Sequence, residues 1–438
     1  MNSPHAVIIG AGFCGLTAAY ELAKRKMAVT IVEADSDIGG LAGSFAVNGA
    51  RLEKFYHHWF MSDKHIMDLI AELDATDEII VRTTRTGIYY ANSFFRLSSP
   101  SDVMRFKALP PLDRVRLGLL ALRARRVTDW RQLEDMTAAQ WLRALGGKKV
   151  YEVVWEPLLR GKFGAYADEI SAVWFWNKLK LRGGSRRGDG AEQLAYYNGG
   201  FAALADRLAA RILTHGAKIL TNAMAEKIVV SEGRVAGVLV DGECLPADIV
   251  IATPALPIVA SLLQGQASVE YISSLRRIMY LANICLVIEL DRSLSETYWI
   301  NVNDPSFPFV GVIEHTNFEP CETYGGRHII YLSKYLPATD ALYGMNREEA
   351  LEFTLPHLKR MFPMLDRGWI LAVHLWKANY SQPVVERHYG SLIPSHVTPV
   401  PGLFLASMAQ VYPEDRGTNY AVREGKLVAG LATGTSIN

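Results

Sequence analysis

Two adjacent histidines stand in the stretch RLEKFYHHWF, which runs from Arg51 to Phe60 and also carries Glu53, Tyr56 and Trp59. An imidazole titrates near neutrality, so His57 or His58 can take a proton from a reacting group and return it. In an extended segment neighbouring side chains point to opposite faces, so at most one of the two is expected to face a given site. A second stretch, VYPEDRGTNYAVREGK, sets Pro413, Glu414, Asp415, Arg416 and Gly417 directly before a helix start. Backbone N–H groups at such a start attract negative charge. A third, VIIGAGFCGLTAAYEL, places Gly10, Gly12 and Gly15 in a GxGxxG pattern. The first glycine suits a tight turn, the second the approach of a pyrophosphate to backbone, and the third close helix packing. Cys14, Cys244, Cys285 and Cys321 lie far apart with no CxxC. No metal site, disulfide frame or Ser/His/Asp set is expected.

The elements around the glycines read as a βαβ unit. HAVIIG is a buried strand, the turn runs from Gly10 to Gly15, and LTAAYELAKRK is a helix with Leu16, Ala19 and Leu22 inward. AVTIVEA is the second strand and brings Glu33 to where an acid accepts from ribose hydroxyls. ADSDIGGLAGSF follows at once, with Gly39, Gly40, Gly43 and Ser44. A plain NAD domain would run on to its next helix here. A second glycine loop can instead offer its N–H groups to a pyrophosphate from the other side.

The run VIIGAGFCGLTAAYEL, continued by VTIVEADSDIGGLAGSF, resembles the opening of the FAD-dependent amine oxidase superfamily. That group includes protoporphyrinogen oxidases, phytoene desaturases and, more distantly, UDP-galactopyranose mutases. The resemblance implies non-covalent FAD in an α/β fold: a Rossmann-like FAD-binding domain with an inserted α+β substrate domain, a helical insertion plus an antiparallel sheet. YYNGGFAALADRLAARILTHGAKILTNAMAEKIVV is similar to the family's glycine-led helix and the strand that touches adenine, which would put Ala225 there. GRVAGVLVDGECLPADIVIATP is similar to its meander and returning strand, ending at Thr253 and Pro254. PGLFLAS and the C-terminal turn take the place of its flavin motif, so Ser407, Met408, Arg416, Gly417, Thr418 and Asn419 are implied as flavin neighbours. Where the family usually has Gly-Asp after the strand, this chain has Ser407 and Met408, with Asp415 or Glu414 as a substitute acid or a backbone contact in its place. Amides from Gly417 onward would face flavin N1 and the C2 carbonyl. The Tyr56–His58 stretch would pass the flavin edge, where a histidine can deprotonate a substrate whose hydride moves to N5.

The remaining segments are expected to hold substrate. The implied division gives 1–90, 190–270 and 385–438 to the FAD-binding domain, and 91–189 and 271–384 to the substrate domain. Residues 91–189 read as helical and carry 19 Lys/Arg against 10 Asp/Glu, although the 438-residue chain has a net charge of only +1. Arg114, Arg116, Arg123, Arg125 and Arg126 interleave with Leu117, Leu119, Leu120 and Leu122. Such a helix lies on an anionic membrane, guides an anionic substrate, or is a solvated face above a buried leucine stripe. Residues 271–384 alternate as strands in ICLVIEL, FVGVIEH, HIIYLSKYL and ILAVHLWKANY. Arg327, Tyr331, Lys334, Trp376 and Tyr380 are the expected pocket residues there.

The near-neutral charge gives no argument for nucleic acid. The apolar N-terminus lacks a basic flank and reads as a βαβ start, and the longest later apolar run, 278–288, is short of a bilayer span. A cytoplasmic protein acting on a small molecule is expected, with peripheral membrane contact through 105–126 as one reading. The activity implied is hydride transfer from a C–N, C–C or C–O centre of an organic, hydrophobic or lipid-linked substrate to flavin N5. Two alternatives stand beside it. One is a UDP-galactopyranose mutase-like flavoenzyme without net redox change, using Arg327 and the basic insertion to hold a diphosphate. The other is a non-catalytic, membrane-associated protein that keeps FAD structurally.

Overall fold

Strand β1 (His5–Ile9) is apolar on both faces, and such a strand is stable only at the centre of a covered sheet. It is the middle of five parallel strands in the order β3 (Lys218–Leu220), β2 (Ala28–Val32), β1, β4 (Ile249–Ala252) and β5 (Leu403–Leu405). The computed structural model describes residues 4–96, 100–184 and 192–434. Alternation along β1 sends Ala6 and Ile8 to a core shared with helices α1 (Phe13–Lys24), α2 (Gly200–Thr214) and α3 (Thr418–Thr433). Val7 and Ile9 go to the opposite core with the antiparallel meander 225–246.

The crossover is tighter than the sequence implies. Helix α1 starts at Phe13 with Gly12 as its N-cap, so Gly15 lies in the first helical turn and not in the loop. A Cβ on Gly15 would sit 2.0 Å from the Gly10 carbonyl oxygen. Helices α1 and α3 cross equally closely, since a Cβ on Gly425 would lie 2.5 Å from the Cys14 carbonyl oxygen.

A second sheet has seven strands in the order Ile370–Pro383, Tyr280–Leu290, His328–Leu336, Gly311–Glu314, Trp299–Val302, Thr86–Tyr90 and Ser93–Arg96. All neighbours are antiparallel except Trp299–Val302 with Thr86–Tyr90. All four segments read as strands from the sequence contribute to it. Thr86–Tyr90 already belongs to this sheet, so the chain enters it before residue 91. The division at 189–190 lies outside the described residues.

The segment between is helical, as read: Pro100–Arg105, Pro111–Arg125, Ala138–Gly146, a continuous run over 148–163 with a π-helical turn at Tyr151–Trp155, and Ala172–Gly184. The leucine stripe of Pro111–Arg125 differs from the reading. Leu117 and Leu120 are buried, but Leu119 and Leu122 are 41% and 54% exposed. The inner face is held by Trp176, whose Nε1 donates to the Ala124 carbonyl at 3.1 Å. Among the described residues no helix is long and apolar enough to cross a membrane.

Candidate active site

The two glycine loops meet backbone to backbone. Gly10 has φ +99°, a conformation that favours glycine, and a Cβ there would lie 2.6 Å from Thr253 Oγ1. Thr253 Oγ1 donates to the Ile9 carbonyl at 2.8 Å and fixes β4 to the turn. Gly39 N donates to the Ala11 carbonyl at 2.9 Å, and Gly12 and Gly39 form a parallel bridge. A Cβ on Gly40 would lie 3.2 Å from Gly12 Cα, and one on Gly43 would lie 2.9 Å from the Gly40 carbonyl oxygen. A Cβ on Gly12 would meet nothing nearer than 3.9 Å. This is a cradle whose walls are peptide groups and which side chains would fill.

Glu33 lies across the turn: one carboxylate oxygen accepts from Ala11 N at 2.6 Å and the other from Asp35 N at 3.0 Å. Ala223 N donates to the Glu33 carbonyl and Asn222 N to that of Asp35, which brings the strand beginning at Ala225 beside Glu33. Ser44 follows the second loop as the first residue of Ser44–Val47 and pairs with Glu53. The fingerprint, Glu33, the second loop, Ala225 and Thr253 therefore share one end of the parallel sheet.

A cavity opens at the far side of the second loop. Its wall includes Leu41 of that loop, Tyr56, His57 and His58 from the histidine stretch, and Arg416, Gly417, Thr418 and Asn419 from the C-terminal turn. The two stretches singled out for chemistry thus face each other. They are also bonded: Trp59 Nε1 donates to Thr418 Oγ1 at 2.7 Å, and Asn419 Oδ1 accepts from Ile66 N at 3.1 Å. The Thr418 and Asn419 side chains tie α3 to the neighbouring segment, and the start of α3 carries no side-chain cap. Its first amides are therefore left without the usual acceptor. Gly417 has φ 173° and nothing within 4 Å of an added Cβ. Its backbone does not require glycine, contrary to the turn inferred from sequence.

Both histidines line the cavity, with rings that diverge. His57 packs on Phe201 at 5.2 Å between centroids and His58 against Tyr298 and Trp299 at 5.8 and 5.7 Å. His57 Nδ1 donates to the Phe55 carbonyl at 2.6 Å, leaving Nε2 as the lone-pair nitrogen. Burial pulls its pKa down to about 4, only partly opposed by that carbonyl. His57 is neutral at physiological pH: it can accept a hydrogen bond but is a weaker base than the near-neutral one expected. Asp63, on the same wall, moves the other way, its carboxyl pushed up to about 6 by burial against the Phe60 N–H.

Asp415 is the charge hub of the cavity and is 8% exposed. It accepts from Trp174 Nε1 at 2.9 Å and Gln382 Nε2 at 3.4 Å, forms a short ion pair with Lys178, and lies 3.6 Å from Lys162. Burial alone would raise its carboxyl, but Lys162, Lys178 and Arg416 outweigh this and hold it well below the usual carboxylate range. Burial pulls Lys162 down to about 7 against the opposing effect of Asp415. Glu414 pairs instead with Arg423 at 3.0 Å. The sequence reading missed Lys178 as a cavity residue, and Lys162 and Trp174 as partners of Asp415 behind it. Its available signal was Trp174 and Lys178 one helical turn apart in WFWNKLK.

Other expected pocket residues stand off this wall. Arg327 is paired with Glu289 in a short ion pair. Tyr331 is fully buried and donates to the Glu53 carbonyl at 2.8 Å. Trp376 packs on Phe45 at 5.1 Å and Tyr380 on Tyr280 at 5.6 Å. The sheet instead contributes Asn283, Trp299, Ser333, Tyr335 and Ser381. Ser333 and Tyr335 continue the face on which Tyr331 stands. At the end of β5, Ser407 N donates to Gln410 Oε1 at 2.7 Å and Met408 opens a short 3-10 turn, while Cys14 Sγ reaches the Ala406 carbonyl at 3.4 Å.

Donors on this wall lack acceptors. Arg416 Nη2 donates to Tyr335 Oη at 2.8 Å, but its Nε is buried with no partner among the described residues. Buried donors of this kind are costly unless a ligand satisfies them. Together with the uncapped helix start and the glycine cradle, they fit an elongated group with phosphates at one end and carbonyl acceptors at the other.

A family model described as flavin containing amine oxidoreductase matches residues 13–432. Coproporphyrinogen III oxidase of Propionibacterium freudenreichii subsp. freudenreichii is 23% identical over 318 residues, which cover 60% of this chain. The match spans only 59% of that relative's length. Among solved structures, a provisionally assigned protoporphyrinogen oxidase from Exiguobacterium sp. 255-15 has a TM-score of 0.79 at 18% identity, with 99% of this chain and 100% of that one covered. Reduced UDP-galactopyranose mutase has a TM-score of 0.76 at 14% identity, with 100% and 97% covered. These two likenesses are of fold alone. The chain belongs to the flavin-containing amine oxidoreductase family, and FAD is its cofactor.

Proposed function

We propose that this flavoprotein oxidises a C–N, C–C or C–O centre of an organic substrate with an apolar body, held in the cavity between Tyr56–His58 and Arg416–Asn419. The observation that carries the reading is the meeting of these two stretches at the end of the glycine cradle. In this reading Gly12, Gly39 and Gly40 hold the pyrophosphate, Glu33 the ribose, and the start of α3 with Arg416 the flavin ring. When bound, FAD supplies two-electron acceptance from carbon. The chain's own residues bind and orient. Tyr56, Trp299 and Tyr335 give an aromatic wall for an apolar body. Neutral His57 offers Nε2 to a substrate N–H or O–H, which favours the uncharged form of an amine or alcohol. The Asp415 knot holds the adjoining Arg416 backbone against the helical insertion.

A mutase reading would need several cations for a diphosphate; among the described residues this wall carries Arg416 and Lys178, and Lys178 is already paired with Asp415. The test is anaerobic mixing of the purified holoprotein with a panel of amines, alcohols and saturated carbonyl or cyclic compounds, watching the yellow flavin absorbance. Bleaching by an apolar-bodied member supports oxidation. No bleaching by any member, with UDP-sugars isomerised only after prior reduction, would replace it with the mutase reading.

A further inference from the structure

Helix Pro111–Arg125 is apolar on two sides, and only one of them is used by the fold. Leu117, Leu120 and Ala124 face inward and are buried. Leu112, Val115, Leu119 and Leu122 are 62%, 46%, 41% and 54% exposed. At 3.6 residues per turn these four fall within an arc of about 80° centred opposite the buried face. Met104, at the end of the preceding helix Pro100–Arg105, is a fifth exposed apolar side chain close in sequence.

The arc is bordered by arginines. On the same wheel Arg116 and Arg123 lie on one border, Arg114 and Arg125 on the other, and Arg126 follows at the helix end. Residues 100–126 hold seven Lys/Arg against two Asp. The acid on the helix itself, Asp113, is turned inward at 8% exposure and paired with Arg116. Arg114 and Arg123 donate to the neutral carbonyls of Leu109, Met104 and Leu145, which orient the guanidinium groups and leave their charge uncompensated.

We propose that this outward ridge docks the protein on an anionic lipid surface, with Leu112, Val115, Leu119 and Leu122 entering the headgroup boundary and the bordering arginines pairing with lipid phosphates. A single convex helix with cations along both borders matches a planar anionic interface. On its inner face the docking helix is joined to helix Ala172–Gly184, which carries Lys178 of the cavity wall, through the Trp176 bond to the Ala124 carbonyl.

The test is flotation of the FAD-loaded full chain with vesicles of phosphatidylcholine alone or with phosphatidylglycerol added, at low and high salt. Binding to the anionic vesicles, weakened by salt, is expected, with little binding to the neutral ones. Leu119→Gln/Leu122→Gln changes only exposed positions, so the fold and yellow colour are expected to persist while partitioning falls about tenfold or more. Arg125→Glu/Arg126→Glu should lose binding in parallel. Absence of binding by the wild type, or binding that both variants retain, would overturn the proposal. So would a wild-type dimer that the leucine variant converts to monomer, since the ridge would then be a self-interface.

Discussion

Replacing Asp415 with asparagine keeps the shape of the side chain and removes the one negative charge that Lys162 and Lys178 share. The Trp174 indole can still donate to the asparagine oxygen, so the perturbation is mainly electrostatic. Breaking a fully buried ion pair costs about 3–5 kcal/mol. Here the lysine side chains are 21% and 36% exposed and partly hydrated, so about 2–3 kcal/mol is expected. Lys162, already at about 7, can lose its proton once Asp415 no longer supports the charge, which limits the loss. Urea unfolding of wild type, Asp415→Asn, Lys178→Met and the double variant measures this as a thermodynamic cycle. The double variant should recover about 1–2 kcal/mol relative to additivity, because it leaves fewer unpaired charges. An Asp415→Asn protein within about 0.5 kcal/mol of wild type, or purely additive single changes, would show that the knot does not hold the insertion against the cavity.

Two glycine substitutions should separate fold from cofactor. Gly15→Ala places a methyl group against the Gly10 carbonyl and should lower apoprotein stability by about 1–3 kcal/mol in thermal or urea unfolding. Gly12→Ala meets no atom nearer than 3.9 Å. It should leave the apoprotein stable while weakening FAD binding by about 100-fold in an equilibrium titration, the loss of about 3 kcal/mol of charge-assisted contact. Acid stability gives a third prediction, from two groups of opposite sign. His57, lowered from 6.5 to about 4, contributes stability that is full above pH 6.5 and is lost as pH falls through 4. Asp63, raised from 3.8 to about 6, contributes stability that is full below pH 3.8 and is lost as pH rises through 6. The two oppose each other between pH 4 and 6. Relative to wild type, Asp63→Asn should gain stability as pH rises across that window and His57→Gln should lose it, by up to about 2–3 kcal/mol each in urea unfolding at stepped pH.

The parts legible in the sequence were those set by local pattern. The GxGxxG turn, Glu33 just after β2 and the four strands of the second sheet follow from spacing and alternation, and they lie where those patterns implied except that the turn ends at Gly12 and Gly15 is already helical. The parts that were not legible depend on partners distant in the chain. Trp174 and Asp415 are 241 residues apart, and no local pattern joins them. The leucines of Pro111–Arg125 read as one buried stripe, Leu119 and Leu122 together with Leu117 and Leu120, because which of them the core covers depends on distant packing. His57 was assigned an ordinary imidazole pKa because burial is a tertiary property. Gly417 read as a turn glycine from its neighbours, whereas its backbone is extended and its open surroundings come from the cavity. Thr86–Tyr90 read as the end of the first domain because its parallel partner, Trp299–Val302, is more than two hundred residues away.

In the proposed arrangement the C-terminal turn and the histidine stretch enclose the reacting end of FAD. Gly417→Val tests it directly, since the backbone there is extended and a Cβ meets nothing within 4 Å. The fold should accept the valine, and only a bound ring should feel it. Loss of one or two interactions between the helix start and the reduced ring corresponds to about 1–3 kcal/mol, which for a two-electron couple is about 20–65 mV. Dye-coupled reductive titration of wild type and variant, both with FAD bound and with equal thermal stability, measures it. A midpoint potential lowered by that amount is expected. An unchanged potential with full FAD occupancy would contradict it and place the flavin ring away from this turn.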